Sequence, residues 1–212
     1  MRALFSNPVA AVGIVIVGIL VLAALFAPWL APYDPLGQNL DSRLMAAGGG
    51  HPLGTDELGR DILSRMLWGA RTTLLIIVLV TVTAAPLGFV LGCLAGMLGG
   101  WADIALMRLT DIFLAFPRLI LALALAAALG AGLENAVLAI AVTAWPVYAR
   151  VARAETLSIR DSDFVAAARL QGASTWRIVR RQIMPMCVNS LVVRITLDMA
   201  GIVLTVAGFG FL

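Results

Sequence analysis

The strongest constraint on the fold is an uncharged apolar run near the start of the chain. Residues 9–27 contain no charged side chain. At about 1.5 Å per helical residue, such a run crosses a hydrocarbon layer of about 30 Å. It is longer than the apolar region of a secretory signal, and no convincing cleavage site follows it in residues 27–32. The run therefore predicts an uncleaved first membrane span.

The composition extends this conclusion to the rest of the chain. Of its 212 residues, 61% are hydrophobic and only 13% are charged, and the mean hydropathy is +0.99. These values place the chain in a bilayer, because a water-soluble domain does not have enough interior to hide so much apolar surface. Cys93 and Cys187 lie in or beside apolar segments without metal-binding spacing, so we expect two buried residues and no disulfide or metal framework.

Four further apolar segments predict an all-α membrane protein with five spans. They cover residues 72–98, 119–129, 136–148 and 190–212. Pro86 is expected to break the second span, and the glycines at 88, 92 and 96 predict close packing of that span against another helix. Residues 99–117 contain charged side chains and are predicted to form a connector at the membrane interface.

The arginines predict the orientation of these spans. Residues 150–181 hold seven of the fifteen basic residues, and the chain contains no lysine. By the positive-inside rule this stretch is cytoplasmic. Four predicted spans separate it from the N-terminus, and each span reverses the side of the membrane, so the N-terminus is also cytoplasmic. The predicted domains are residues 1–30 with the first span, a periplasmic loop at 31–71 with a short interfacial helix, and a membrane core at 72–212. This core includes a cytoplasmic loop at 150–185 and the fifth span at 190–212.

The cytoplasmic loop contains a short helix with recognisable ends. Asp-Ser-Asp at residues 161–163 favours a helix start, and Gly172 suits the left-handed position after a helix end. Ser174 is predicted to cap a second helix. The small residues 166–168 beside Phe164 would form a knob suited to a cleft in another protein.

This segment resembles the cytoplasmic EAA loop of the permeases of ATP-binding-cassette importers. That loop reads Glu-Ala-Ala, three residues, Gly, and later an apolar-Leu-Pro ending. Here Ala166-Ala167-Ala168, Gly172 and Ile183-Met184-Pro185 keep the spacing. Because Ala166 replaces the glutamate, any ion pair that the glutamate would make is either absent or supplied by Asp163 or Arg169. The resemblance assigns ATPase coupling to Asp163, Phe164, Ala166, Ala167, Ala168, Arg169, Gly172 and Pro185.

Three further motifs, at residues 53–65, 99–103 and 107–117, resemble the dipeptide, oligopeptide and nickel group of these permeases, and the C-type subunit in particular. The resemblance implies the transmembrane domain of a type I ABC importer in a bacterial inner membrane. Five of an expected six spans are present, and the apolar ending leads us to expect truncation before the natural end. The implied partners are a homologous permease, two cytoplasmic ATPases, an extracytoplasmic solute-binding protein and lipid, but no nucleic acid.

We expect no catalysis and no bound cofactor or metal in this chain. Without lysine it has no phosphate loop, so ATP and Mg²⁺ are expected on the partner ATPases. His51 stands alone in a glycine-rich loop and makes a poor metal site. An intramembrane protease would need a Ser–His or paired-Asp constellation, and an ion-driven secondary transporter is disfavoured by the capped, arginine-rich loop. The implied function is import of peptides, with nickel or another small solute as the alternative.

Two sets of charged residues keep alternative interpretations. Arg194 and Asp198 lie one helical turn apart in the fifth span, where they form either a self-neutralising structural pair or part of the substrate pathway. Asp103, Arg108 and Asp111 form either a charged relay or, as their spacing favours, pairs with one another on one helix face.

Overall fold

A computed structural model describes residues 8–210 of the chain as a set of helices. In chain order they are α1 (Pro8–Leu25), α2 (Ala27–Leu30), α3 (Ile62–Leu98), α4 (Gly100–Leu114), α5 (Arg118–Leu129), α6 (Leu133–Ile159), α7 (Asp163–Leu170), α8 (Thr175–Ile178) and α9 (Met184–Phe209). Extended pairing within residues 8–210 is limited to two isolated bridges, so the predicted all-α class is confirmed. The predicted N-terminal tip, residues 1–7, lies outside the described residues, as do residues 211–212. The chain divides into two compact units, one ending at Leu75 and the other starting at Ile76.

The first unit contains α1, α2 and a folded segment at residues 31–61, here called the first loop. The Asn39 side chain accepts a hydrogen bond from the backbone N–H of Asp41 in a 3₁₀ turn at Leu40–Ser42. Thr55 Oγ1 donates to the Ser42 carbonyl at 2.5 Å. These contacts satisfy backbone groups that no regular element pairs, and they give the first loop a defined conformation.

The helix α3 is one element of 37 residues where the sequence predicted two. The predicted interfacial helix begins only at Ile62 and continues without interruption into the second span. Pro86 does not break α3, so that prediction is wrong. A proline removes one N–H donor, but Ala84 and Ala85 beside it are buried, and their packing against neighbouring helices offsets the missing hydrogen bond.

The predicted connector forms α4, which meets α5 at a bend of 88°. Pro117 is the N-cap of α5, with φ −57° and ψ 122°, and proline disfavours a helical conformation in the residue before it. The chain then turns from α5 into α6, and the two form a helical hairpin. Asn135 Nδ2 closes this turn by donating to the carbonyls of Leu129 at 2.9 Å and Gly130 at 3.1 Å.

The helices α6 and α9 both extend beyond the predicted spans, so the loop between them is shorter than residues 150–185. The helix α6 continues through Pro146 to Ile159, and α9 already begins at Met184. Ala149, Ala152 and Thr156 are buried on the extended part of α6. Their packing keeps α6 helical past the end of its apolar sequence.

The glycines of α3 pack directly against α6, as their four-residue spacing predicted. A Cβ atom at Gly88 or Gly92 would collide with the backbone carbonyl oxygen of Trp145 or Ala149, and one at Gly96 would lie 2.8 Å from Thr156 Cβ. Only residues without a side chain permit this approach. The contact forms the centre of the second unit.

Four helical segments within residues 8–210 are long and apolar enough to cross a membrane. They are Pro8–Leu25, Ile62–Leu98, Leu133–Ile159 and Thr175–Phe209. The bent pair formed by α4 and α5 adds a fifth if it is one broken span. The predicted number of five spans requires this interpretation of the bent pair.

Candidate functional site

The segment between α6 and α9 forms a helix–turn–helix unit made of α7, a turn and α8, here called the coupling unit. Ser162 is the N-cap of α7 and Asp163 lies in its first turn. The backbone of Ser162 has the extended conformation of a cap, but its side chain makes no capping hydrogen bond. The charge of Asp163 therefore complements the positive end of the helix in place of that hydrogen bond.

The helix α7 ends in a Schellman motif centred on Gly172. The φ angle of Gly172 is +76°. Its N–H donates to the Arg169 carbonyl, and the N–H of Ala173 donates to the Ala168 carbonyl, both at 3.0 Å. The left-handed conformation favours glycine because other residues place a Cβ atom against their own backbone there. The predicted glycine corner is confirmed.

The helix α7 divides its small residues between two faces. Ala168 is buried with Val165 in a core cluster that includes Cys93 and Cys187, whereas Ala166 and Ala167 are exposed. The expected single knob face of three alanines is wrong, because successive helical residues are about 100° apart around the axis. Ala168 therefore anchors α7 to its own chain, and only its two neighbours are available to another protein.

The outer side of the coupling unit carries large apolar side chains and two charged ones. Phe164 is 40% exposed, Leu170 is 89% exposed and Trp176 is 52% exposed. Asp163 and Arg169 are also exposed, and neither forms an ion pair with another described residue. Such a surface combines apolar contact area with charges at its edge, which is the composition of a protein-binding surface.

The second half of the coupling unit leads into α9. Ser174 Oγ accepts a hydrogen bond from the N–H of Arg177 at 3.4 Å, so the predicted cap of α8 is confirmed. A π-helical turn at Val179–Ile183, which the sequence interpretation did not anticipate, joins α8 to α9. Pro185 follows in the first turn of α9, directly after this π-helical turn.

Ion pairs join α4 to α6, whereas the sequence favoured pairing within α4. Arg153 holds Asp103 through Nε to Oδ1 at 2.5 Å and Nη2 to Oδ2 at 2.6 Å. Arg150 Nη2 donates to Asp111 Oδ1 at 2.6 Å. Arg108 is exposed and pairs with no described carboxylate. The expectation of mutual pairing is wrong, because a facing arginine fork matches a carboxylate better than a neighbour on the same helix does.

Asp198 lies at the centre of a buried polar cluster between three helices. Its carboxylate is 3% exposed and accepts hydrogen bonds from Arg118 Nη1 at 2.5 Å and from the Tyr148 hydroxyl at 2.8 Å. The predicted partner within α9, Arg194, has its Nη2 atom 3.7 Å from Oδ1, which is too long for a hydrogen bond. The stronger contacts of Asp198 therefore connect α9 to α5 and α6.

His51 contacts a carboxylate in the first loop. Its Nδ1 lies 3.0 Å from Asp61 Oδ1, while the N–H and hydroxyl of Ser64 donate to Oδ2 at 2.8 and 2.7 Å. Burial raises the pKa of Asp61, but the hydrogen bonds from Ser64 and His51 outweigh it and leave this pKa below its usual value. These contacts tie the first loop to the start of α3.

Comparison with known proteins identifies the family to which the chain belongs. Residues 88–212 match the family described as the inner membrane component of binding-protein-dependent transport systems, and residues 1–47 match the N-terminal transmembrane domain of oligopeptide transport permease C. The chain belongs to this family of transport permeases. Its fold is the all-α membrane domain of a type I ABC importer, and it is a multi-pass inner-membrane protein. As a permease it is a transporter subunit and not an enzyme.

Three relatives show how far the similarity extends. A probable D,D-dipeptide transport system permease of Escherichia coli (strain K12) is 41% identical over 98% of this chain and 70% of its own length. A di/tripeptide transport system permease of Pseudomonas aeruginosa (strain UCBPP-PA14) is 44% identical over 94% of this chain and 68% of its own. The nickel transport system permease of E. coli (strain K12) is 41% identical over 94% of this chain and 72% of its own.

Two members of the Asp198 cluster, Arg118 and Tyr148, were missed by the sequence interpretation. They lie 80 and 50 residues from Asp198 along the chain, so no spacing rule connects them to it. The available signal was the charge of Arg118 in an otherwise apolar helix, since ionisable residues in membrane segments are functional candidates.

Proposed function

We propose that this permease imports peptides as one subunit of an ATP-driven transporter. Its partners in this proposal are a homologous permease, two cytoplasmic ATPases that bind ATP and Mg²⁺, and an external solute-binding protein. Support for peptides comes from the relatives at 41% and 44% identity, whose names specify dipeptide and di/tripeptide transport. In this proposal the N-terminus is cytoplasmic and the first loop is periplasmic.

The coupling unit is proposed to receive the motion of the ATPases. The observation that carries this proposal is the position of two short helices, joined at a glycine corner and bearing exposed apolar side chains, between two long helices, α6 and α9. A displacement of the unit would act on both long helices. ATP-driven closure of the ATPases would thereby shift the population between inward-facing and outward-facing states.

The proposed roles of the individual residues follow from their exposure. Phe164, Ala166 and Ala167 would contact the ATPase, and Asp163 and Arg169 would pair with charges at the edge of the contact. Three others would maintain the shape of the unit: Ala168 anchors α7, Gly172 forms the corner, and Pro185 starts α9.

Reconstitution of the complete transporter tests this proposal. The four membrane and ATPase subunits would be co-expressed, purified through a tag on this chain and placed in proteoliposomes with the binding protein. We expect both ATPases to co-purify, and ATP-dependent uptake of labelled tri-alanine. Purification of this chain without any ATPase, or ATP-independent uptake driven by an ion gradient, would contradict the proposal.

Nickel is the second candidate solute, because the nickel permease of E. coli is 41% identical to this chain. Radioactive Ni²⁺ would be added outside the same proteoliposomes in place of the peptide. Uptake of Ni²⁺ without uptake of tri-alanine would favour the nickel assignment over the peptide assignment.

A further inference from the structure

The charges around Asp198 do not balance. Two guanidinium groups, of Arg118 and Arg194, face the one carboxylate of Asp198, and no other carboxylate among residues 8–210 pairs with either arginine. The cluster therefore carries a net positive charge. All three residues lie in segments that form or adjoin the candidate spans. An uncompensated charge at membrane depth is unfavourable, so such a site attracts an anion.

The hydrogen-bonding groups of this cluster are also incompletely used. Arg118 Nε, Arg118 Nη2 and Arg194 Nε are shielded from solvent and have no acceptor within the described part of the chain. Buried donors without an acceptor are destabilising, and those of a guanidinium group match the two oxygens of a carboxylate. The unused donors and the surplus charge therefore call for the same chemical group.

The two arginines differ in how firmly they are held. Arg118 forms the short ion pair with Asp198 and its side chain is 24% exposed, whereas Arg194 is 3.7 Å from the carboxylate and 33% exposed. Arg194 is thus the more accessible and the less committed cation. An incoming carboxylate can pair with Arg194 while Asp198 stays bound to Arg118 and Tyr148.

We propose that the cluster of Arg118, Tyr148, Arg194 and Asp198 binds a carboxylate of the transported solute, with Arg194 as the main contact. This inference rests on the proposed import of peptides and specifies the recognised group as the free C-terminal carboxylate. A bare divalent cation would be repelled by the surplus positive charge.

Binding of a peptide acid and its amide tests this inference. The purified complex of both permeases and both ATPases, without binding protein, would be dialysed to equilibrium against labelled tri-alanine or tri-alaninamide. We expect the acid to bind at least about tenfold more tightly than the amide, because the amide has no negative charge to pair with Arg194. No measurable binding of tri-alanine, or equal binding of the two compounds, would overturn the inference.

Variants assign the preference to the cluster. Arg194→Gln should weaken binding of the acid by about tenfold and leave that of the amide within about twofold. Arg194→Lys keeps the charge and should retain a preference for the acid. The matched control is Arg108→Gln, because Arg108 is an exposed arginine that no described carboxylate contacts. Equal weakening of acid and amide in Arg194→Gln would show a structural role, and loss of the partner permease from the complex would show a role in assembly. Either result overturns the inference.

Uptake by the wild-type transporter separates this inference from the proposed function. If tri-alanine enters the proteoliposomes but the complex does not distinguish acid from amide, only the carboxylate site is wrong. If Ni²⁺ enters and tri-alanine does not, the peptide assignment itself is wrong.

Discussion

At the scale of single residues, Gly172 carries the most specific requirement in the coupling unit. Its φ of +76° belongs to the left-handed region, yet a Cβ atom at this position would meet no atom within 4 Å. A substitution therefore strains the backbone without causing a collision. The requirement is conformational, and it can be tested separately from steric bulk.

We expect Gly172→Val to insert in the membrane but to lose coupling between the binding protein and ATP hydrolysis. A β-branched residue is strongly disfavoured in the left-handed region, so the corner between α7 and α8 would change. The measurement is ATPase activity of the reconstituted transporter with and without binding protein. Gly172→Asn is the matched control, because asparagine tolerates this conformation and should retain most of the stimulation. Normal stimulation in Gly172→Val would contradict the assigned role.

At the scale of elements, the contact between α3 and α6 depends on the absence of side chains. Gly92 has the backbone oxygen of Ala149 where its Cβ would stand, whereas Gly69 on the same helix has nothing within 4 Å of that position. The two glycines share a helix and differ in their surroundings. They therefore distinguish packing from helix propensity.

Gly92→Ala should lower the free energy of unfolding by about 1–3 kcal/mol, because the added methyl group forces two backbones apart. Gly69→Ala should leave stability unchanged or raise it by about 0.5–1 kcal/mol through helix propensity. Thermal unfolding of the purified complex, followed by tryptophan fluorescence, provides the comparison. Equal unfolding midpoints for the two variants would show that the absence of a side chain at Gly92 does not maintain the contact between α3 and α6.

The first loop is expected to lose its structure in acid. The folded state lowers the pKa of Asp61, and it lowers that of Asp56 to about 2 through hydrogen bonds from Arg60 and Leu58 that outweigh desolvation. A carboxyl group whose pKa is lowered in the folded state stabilises the fold fully at pH values above its pKa in the unfolded chain, which is 3.8 for aspartate. That contribution disappears as the pH falls from about 4 to about 2.

Hydrogen exchange of the first loop, corrected for the intrinsic effect of pH, should therefore show protection at about pH 5 that is lost near about pH 2. Asp61→Asn should reduce protection at the higher pH and so flatten the profile. If protection depends on pH in the same way in the variant and in the wild type, contacts other than those of Asp61 stabilise this loop.

At the scale of the whole molecule, the coupling unit is connected to both of its flanking helices by buried groups. Val165, Ile178 and Ile183 are 0–2% exposed, and α6 and α9 are bridged by Ser190 Oγ, which donates to Glu155 Oε1 at 2.6 Å. The unit and the two helices are thus packed together, and in the proposed function a displacement of the unit would move both spans.

Replacing Leu170 with Asp should abolish co-purification of the ATPases while this chain remains in the membrane fraction. Leu170 is 89% exposed, so the change does not disturb the core of the unit but places a charge within an apolar contact. The control is Leu36→Asp in the first loop, a leucine that is 75% exposed and is predicted to lie on the other side of the membrane. ATPase retained by Leu170→Asp would place the docking surface elsewhere.

Much of the fold could be predicted from local sequence, because helix formation in a membrane depends on apolar length and on local end signals. Residues 9–27, the glycine spacing of α3, the corner at Gly172 and the cap at Ser174 all depend on neighbours within a few residues. The extent of the helices could not be predicted in this way. The helix α3 continues through Pro86, and the helix α6 continues to Ile159. In both cases packing between helices outweighs the local preference of the sequence to end the helix.

The pairing of charges was decided only by the tertiary structure. The sequence predicted that Asp198 lies near Arg194 and Asp103 near Arg108, because without a structure, proximity can be judged only from the spacing of residues along one helix. The folded chain gives those aspartates to Arg118 and Arg153, on other helices, with shorter and better-oriented hydrogen bonds. By itself the sequence determined that this chain crosses a membrane and has a short helix, a glycine corner and a second helix after α6, since both follow from local patterns. Tertiary packing decided which alanines of the loop face outward and which cations surround Asp198, because both depend on contacts between distant segments.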